Sequence, residues 1–159
     1  MVYEIIKERN VMKVFKNLLA GLAGALTLNI LHEIGKRTIK DAPRVDLVGE
    51  EALSNVVTAT GHIPPMGKKL FAATLGADVG MNTFYYAMIG QGRNKHLLLR
   101  GAALGLAAGF GALSMTKPLG LNDEPVNKTL TTKVLTVAWY LAGGLVTALV
   151  IQGLRSEKE

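Results

Sequence analysis

The chain has 159 residues, enough for a single domain, and its charged fraction of 19% lies below the roughly 25% usual in soluble domains. The absence of cysteine excludes disulfides, thiolate chemistry and Cys-based metal sites. The formal charge of +6 belongs to the ends of apolar runs, where Lys and Arg meet lipid headgroups; no interleaving of basic and aromatic residues points to nucleic acid.

Charges are absent between Asn17 and Leu31. A helix crossing the hydrocarbon core needs about 20 apolar residues, and extending this run at both ends predicts a first span at about 15–34. Its charged start (Glu4, Lys7, Glu8, Arg9, Lys13, Lys16) resembles a secretory signal, but His32-Glu-Ile-Gly-Lys-Arg37 follows in place of a small-residue cleavage site. A retained span is expected.

The first connection opens with Lys36, Arg37 and Lys40, and Pro43 disfavours helical geometry in the residue before it. Asp46 is the expected N-cap of a short helix at about 46–60. Leu47, Val48, Ala52, Leu53, Val56 and Val57 form an apolar stripe on it, with Glu50, Glu51, Ser54 and Asn55 elsewhere. Such an amphipathic helix lies at the interface or caps a bundle; carrying acids and no bases, it is expected to pack on protein. Gly61 and Pro64-Pro65 end it.

Between Leu70 and Gln91 the only charge is Asp78, which predicts a second span at about 70–91. A connection as short as Gln91 to His96 predicts that spans two and three are antiparallel neighbours. The third span, about 97–116, holds a charge-free run from Gly101 to Thr116 and a snorkelling Arg100. A polar connection with Asp123-Glu-Pro125 leads to the fourth, about 134–154. A soluble bundle helix would show polar residues every three or four positions; Val134 to Gly153 has no charged face. All five prolines lie between spans, so uninterrupted helices are expected, unlike the broken helices of many secondary transporters.

The chain therefore reads as an all-α integral membrane protein: one domain over 1–159, a four-transmembrane-helix bundle with a short amphipathic loop helix. It is expected in a membrane as a multi-pass protein, the cell or inner membrane in a bacterium. Similar strings in spans one and three, Gly21-Leu-Ala-Gly-Ala-Leu26 and Gly105-Leu-Ala-Ala-Gly-Phe110, each precede an Asp-x-Pro (Asp41, Asp123) and suggest duplicated hairpins. Orientation is unmarked. Lys7, Arg9, Lys13, Lys16, Arg93, Lys95, Arg100, Arg155 and Lys158 fall on one side; Lys36, Arg37, Lys40, Arg44, Lys68, Lys69, Lys117, Lys128 and Lys133 fall on the other. The positive-inside rule needs an imbalance, and this balance is compatible with dual topology.

Small residues every fourth position let helix backbones approach closely in lipid. Gly76 and Gly80 in span two, and Gly101, Gly105 and Gly109 in span three, are the predicted packing faces. An acid at membrane depth costs about 2.5 to 3.5 kcal/mol and faces a bundle interior or cavity. Asp78 lies on one stripe with Thr74 and Asn82, and span one brings Asn29, His32 and Glu33 to the same depth. These six residues form the candidate cluster for an ion, proton or ligand, with Asn29 or His32 the expected partner of Asp78. The plainer alternatives are hydrogen-bonded glue for Asp78 and Asn82, a headgroup-level His32, and a surface pair of Glu33 with Lys36 or Arg37.

No enzyme signature is present. His32 and Glu33 are adjacent, so they point about 100° apart on a helix and lack the spacing of a zincin or a diiron bundle. Ser54, Ser114 and Ser156 sit in no nucleophile-elbow context. No metal or cofactor is called for. The expected role is a non-enzymatic assembly or accessory component, partnered by the bilayer and by a second copy or another membrane protein. The alternative is a small proton- or cation-coupled transporter or channel using Asp78 as a dimer.

Overall fold

A computed structural model describes residues 2–92 and 95–156, with side chains from residue 7 onward. Arg93 and Lys158 of the basic set lie outside the described residues. Among these, all regular structure is helical. Helix α1 runs Val2–Thr38, α2 Val45–Ala59, α3 Lys68–Ala87, α4 Leu97–Ser114, α5 Glu124–Asn127 and α6 Leu130–Ser156. A 3-10 turn, Met88–Gly90, ends α3 earlier than the apolar run suggested. Gly92 (φ 80°) and His96 (φ 62°) then take left-handed conformations that reverse the chain into α4.

Among the described residues three helices are long and apolar enough to cross a membrane: Lys7–Thr38 within α1, α4 and α6. Helix α3 is the exception. Its 20 residues suffice in length, but Asp78, Asn82 and the lysines at its start, Lys68 and Lys69, lower its apolar content.

Helix α6 is the centre of the bundle. Thr132, Thr136, Trp139, Tyr140, Gly143, Gly144, Thr147, Ala148 and Ile151 are all buried, at three- and four-residue steps. One flank takes α4 through Gly101, Gly105 and Gly109, all buried. A Cβ at Gly105 would lie 2.8 Å from the Leu141 Cα, and one at Gly109 would lie 2.7 Å from the Val137 Cα. The other flank takes α1, where a Cβ on Gly143 would lie 3.0 Å from the Gly24 carbonyl oxygen. Helix α3 packs along α1 and reaches α6 through Tyr86.

The packing expected of Gly76 and Gly80 is not made within the chain. Nothing lies within 4 Å of a Cβ at either position, because α3 turns its Thr74–Asp78–Asn82 stripe inward and this face outward. Helices α3 and α4, the expected second and third spans, are also not side-by-side neighbours. The short turn joins their ends, but α4 runs along α6 and α3 along α1. Their clearest link is the Tyr85 hydroxyl, which donates to the Leu104 carbonyl (2.9 Å). Duplicated hairpins with a true two-fold would make α3 and α4 pack as α1 and α6 do.

At one end, Lys13 donates to the Gly92 carbonyl (3.1 Å), Lys16 to that of Leu154, and Arg155 to that of Gly90 (2.6 Å). These cations satisfy carbonyls left over at helix C-termini. At the other end the two Asp-x-Pro loops meet, with the Arg44 N–H donating to the Pro125 carbonyl (2.9 Å). Helix α2 packs there against α3 and α5, with Val48 buried, Leu47 and Val56 exposed, and the Asn122 N–H donating to Glu51 (2.9 Å). Asp46 is not its N-cap. Arg44 holds that position, and its guanidinium occupies the Asp46 carboxylate at 2.9 Å.

Candidate functional site

The site begins where α1 and α3 stop being in backbone contact. Gly21 lies so close to Thr83 and Ala87 that no side chain fits between the helices. Two turns further along, Asn29 and Asp78 occupy that space. The Asn29 amide donates to Asp78 Oδ2 (2.8 Å) and also to the Ala25 carbonyl of its own helix (3.0 Å). From the next turn of α3, the Asn82 amide donates to Asp78 Oδ1 (3.0 Å) and to the Asp78 carbonyl (3.1 Å). Each carboxylate oxygen thus accepts one neutral amide proton. No ion pair reaches Asp78 among the described residues.

Beyond this pair lies a cavity of about 490 Å³. Leu26, Ile30, Leu75 and Val79 wall it with apolar groups, Phe71 and Tyr140 with rings, and α2 closes one end with Val48, Gly49 and Ala52. Gly49 is what allows α2 to sit so low: a Cβ there would come 2.7 Å from the Thr74 methyl.

The six residues singled out in the sequence divide into three groups. Asn29, Asp78 and Asn82 are bonded to one another. Thr74 and His32 line the same cavity without joining them: Thr74 Oγ1 and His32 Nε2 are buried and have no hydrogen-bond partner among the described residues. Thr74 differs in this from Thr83, Thr136 and Thr147, whose hydroxyls donate to the carbonyl four residues earlier. His32 packs edge-on against Trp139, ring centroids 4.9 Å apart, and against Tyr140 at 6.0 Å. Its ring is therefore packed among aromatics. Glu33 takes the plain reading, paired with Lys36 (2.6 Å) and Arg37 (2.5 Å) on its own helix.

An ion network at the α2 end of the cavity was not anticipated. Lys36 bridges from Glu33 to Asp46 (3.5 Å) with its ammonium 5.1 Å from the centre of the Phe71 ring. Burial pushes the Asp46 carboxyl up, but the Arg44 guanidinium and the Lys36 charge outweigh it and hold the group below its ordinary value. The opposing charge of Asp46 raises Arg44 in turn. The sequence signal was faint: bases at 36 and 44, either side of Pro43, both ahead of an acid at 46.

Chemically the site offers one anchored carboxylate, two orphaned polar atoms and an apolar chamber. Among the described residues no three His, Cys, Asp or Glu side chains converge as metal ligands. No protein-family model, curated protein or solved structure matches the chain.

Proposed function

We propose that the protein sits in a membrane, that α3 makes a fourth crossing beside the three apolar helices, and that the bundle is a small proton- or cation-coupled transporter or channel working through Asp78. The observation that carries this reading is the 490 Å³ cavity at an acid with no cationic partner. An assembly component needs Asp78 and Asn82 as glue but has no use for a chamber beside them. Insertion of α3 is supported by its orientation: Thr74, Asp78 and Asn82 turn inward, while Ala73, Gly76, Ala77, Met81 and Phe84 are exposed. A helix of modest hydropathy is thereby apolar on the side that meets lipid.

The test is proton movement in proteoliposomes carrying a pH-sensitive dye, with Asp78→Asn as the control. The amide oxygen still accepts from one of the two asparagines, and its NH2 can donate to the other once that side chain turns its oxygen inward, but it takes up no proton, so a pH-driven signal present in the wild type should vanish. A wild-type trace identical to that of empty liposomes overturns the reading. A second reading, self-association, draws on the unoccupied Ala72/Gly76/Gly80 face of α3. A native mass measurement of the protein in detergent tests it, a monomer at all concentrations counting against it.

A further inference from the structure

Resting on the reading of this cavity as a binding site, we propose that its ligand is a lipophilic amine in the protonated form, with the ammonium at Asp78 and the apolar body among Leu26, Ile30, Leu75 and Val79.

Charge accounting comes first. The cavity borders three carboxylates. Glu33 is paired with Lys36 and Arg37, and Asp46 with Lys36 and Arg44. Asp78 has two neutral amides and no cation. A carboxylate so buried is neutralised by a proton or compensated by a cation, and in its ionised form it lacks a single positive charge at the cavity wall.

Hydrogen-bond accounting agrees. Thr74 lies one helical turn from Asp78 and His32 one turn from Asn29, a rise of about 5.4 Å. Both residues line the cavity that Asp78 also lines, and their Oγ1 and Nε2 atoms have no hydrogen-bond partner among the described residues. An ammonium donates up to three hydrogen bonds: one to Asp78, one to Thr74 Oγ1, and one to His32 Nε2 in the tautomer protonated at Nδ1. An anion would be repelled by Asp78. A neutral alcohol would leave its charge uncompensated.

Size and access define the rest of the molecule. A bare cation needs no chamber of 490 Å³, a volume within the roughly 300–1,000 Å³ typical of organic-ligand sites. Leu26, Ile30 and Leu75 line the cavity and are 44, 57 and 40% exposed. The cavity thus opens through an apolar surface between α1 and α3, which an amphiphile dissolved in lipid reaches directly.

The test uses the full chain in phosphatidylcholine nanodiscs with decylamine, decanol and decanoate as probes. Binding is read by native mass spectrometry and by emission of the only tryptophan, Trp139, which packs on His32. Decylamine should bind saturably, Asp78→Asn should weaken it at least tenfold, and the other two probes should not saturate. Thr74→Val removes one acceptor while keeping the acid and the shape, and should weaken binding about fivefold. It serves as the readout if the Asp78 variant loses its cooperative unfolding. Asp78-dependent binding of decanol or decanoate as tight as that of decylamine overturns the amine class and leaves the site standing. Failure of all three to bind overturns both. Equal binding of decylamine by wild type, Asp78→Asn and Thr74→Val overturns its placement at this carboxylate.

Discussion

Adding one methyl group to a glycine should have opposite effects on the two faces that looked alike in sequence. At Gly105 the new Cβ would lie 2.8 Å from both the Leu141 Cα and the Tyr140 carbonyl oxygen, where ordinary contact begins at 3.4 Å. Both obstacles are backbone and have no rotamer to escape into, so α4 and α6 must part by about 0.6 Å. Gly101 and Gly109 sit one turn to either side in the same seam, so the separation loosens their contacts as well. Overpacking of this kind costs about 1–3 kcal/mol, and rigid obstacles put it near 3. The better helix propensity of Ala returns about 1. Gly105→Ala should therefore destabilise by about 2 kcal/mol, and Gly105→Leu by more. At Gly76 the methyl meets nothing within 4 Å, so Gly76→Ala should gain up to about 1 kcal/mol. Titration of dilute protein in mixed micelles with a denaturing detergent, followed by Trp139 emission, measures both. A neutral Gly105→Ala, or a Gly76→Ala more damaging than it, refutes the packing argument.

Asp78→Leu should destabilise by about 1–3 kcal/mol, because the Asn29 and Asn82 amides lose their acceptor, whereas Asp78→Asn keeps one acceptor oxygen and should cost less; the same titration reads both. Tyr86→Phe removes a buried hydroxyl that donates to the Tyr140 carbonyl (2.8 Å) and should cost about 1–2 kcal/mol in that assay. Asp46 is held below its ordinary value near 3.8, so its contribution is complete above that value and is lost as pH falls through the lower folded one. Stability measured from pH 6 to 3 should fall at the acid end, and Arg44→Leu should flatten that slope. With no native cysteine, single-cysteine labelling is clean: His62→Cys and Gln91→Cys should react from opposite sides of the membrane if α3 crosses it, and labelling from one side alone returns the count to three.

Much of the helix pattern was legible because charge-free runs and prolines are local signals. The helices α1, α4 and α6 and the amphipathic α2 follow from them to within a few residues, except that α1 and α6 extend further beyond their apolar cores. The pair Asn29–Asp78 was legible for a similar reason: two antiparallel helices fix which depths face each other. Partner choice was not. Gly76/Gly80 and Gly101/Gly105 share one spacing, but spacing describes a surface and not what lies across it. Nothing local states that α6 takes the centre and presents Gly144 to Gly101. The burial of His32 against Trp139, more than 100 residues away, depends on that same arrangement.

The modest hydropathy of α3 and the cavity beside it have one physical origin. Helices α4 and α6 meet along a seam of glycines with backbone on backbone, and such a seam leaves no room for a ligand. Helix α3 meets α1 that closely only around Gly21; at the next turns Asn29, Asp78 and Thr74 hold polar atoms where a seam would need small apolar ones. Replacing those residues by Gly or Ala would raise the apolar content of α3 and let the helices close, at the expense of the chamber. The bundle thus divides into a tightly packed half, α4 with α6, and a half whose packing is interrupted by polar groups, α1 with α3. Opening is easiest where few contacts must break, which is at the boundary of α3 with α4 and not along its long contact with α1.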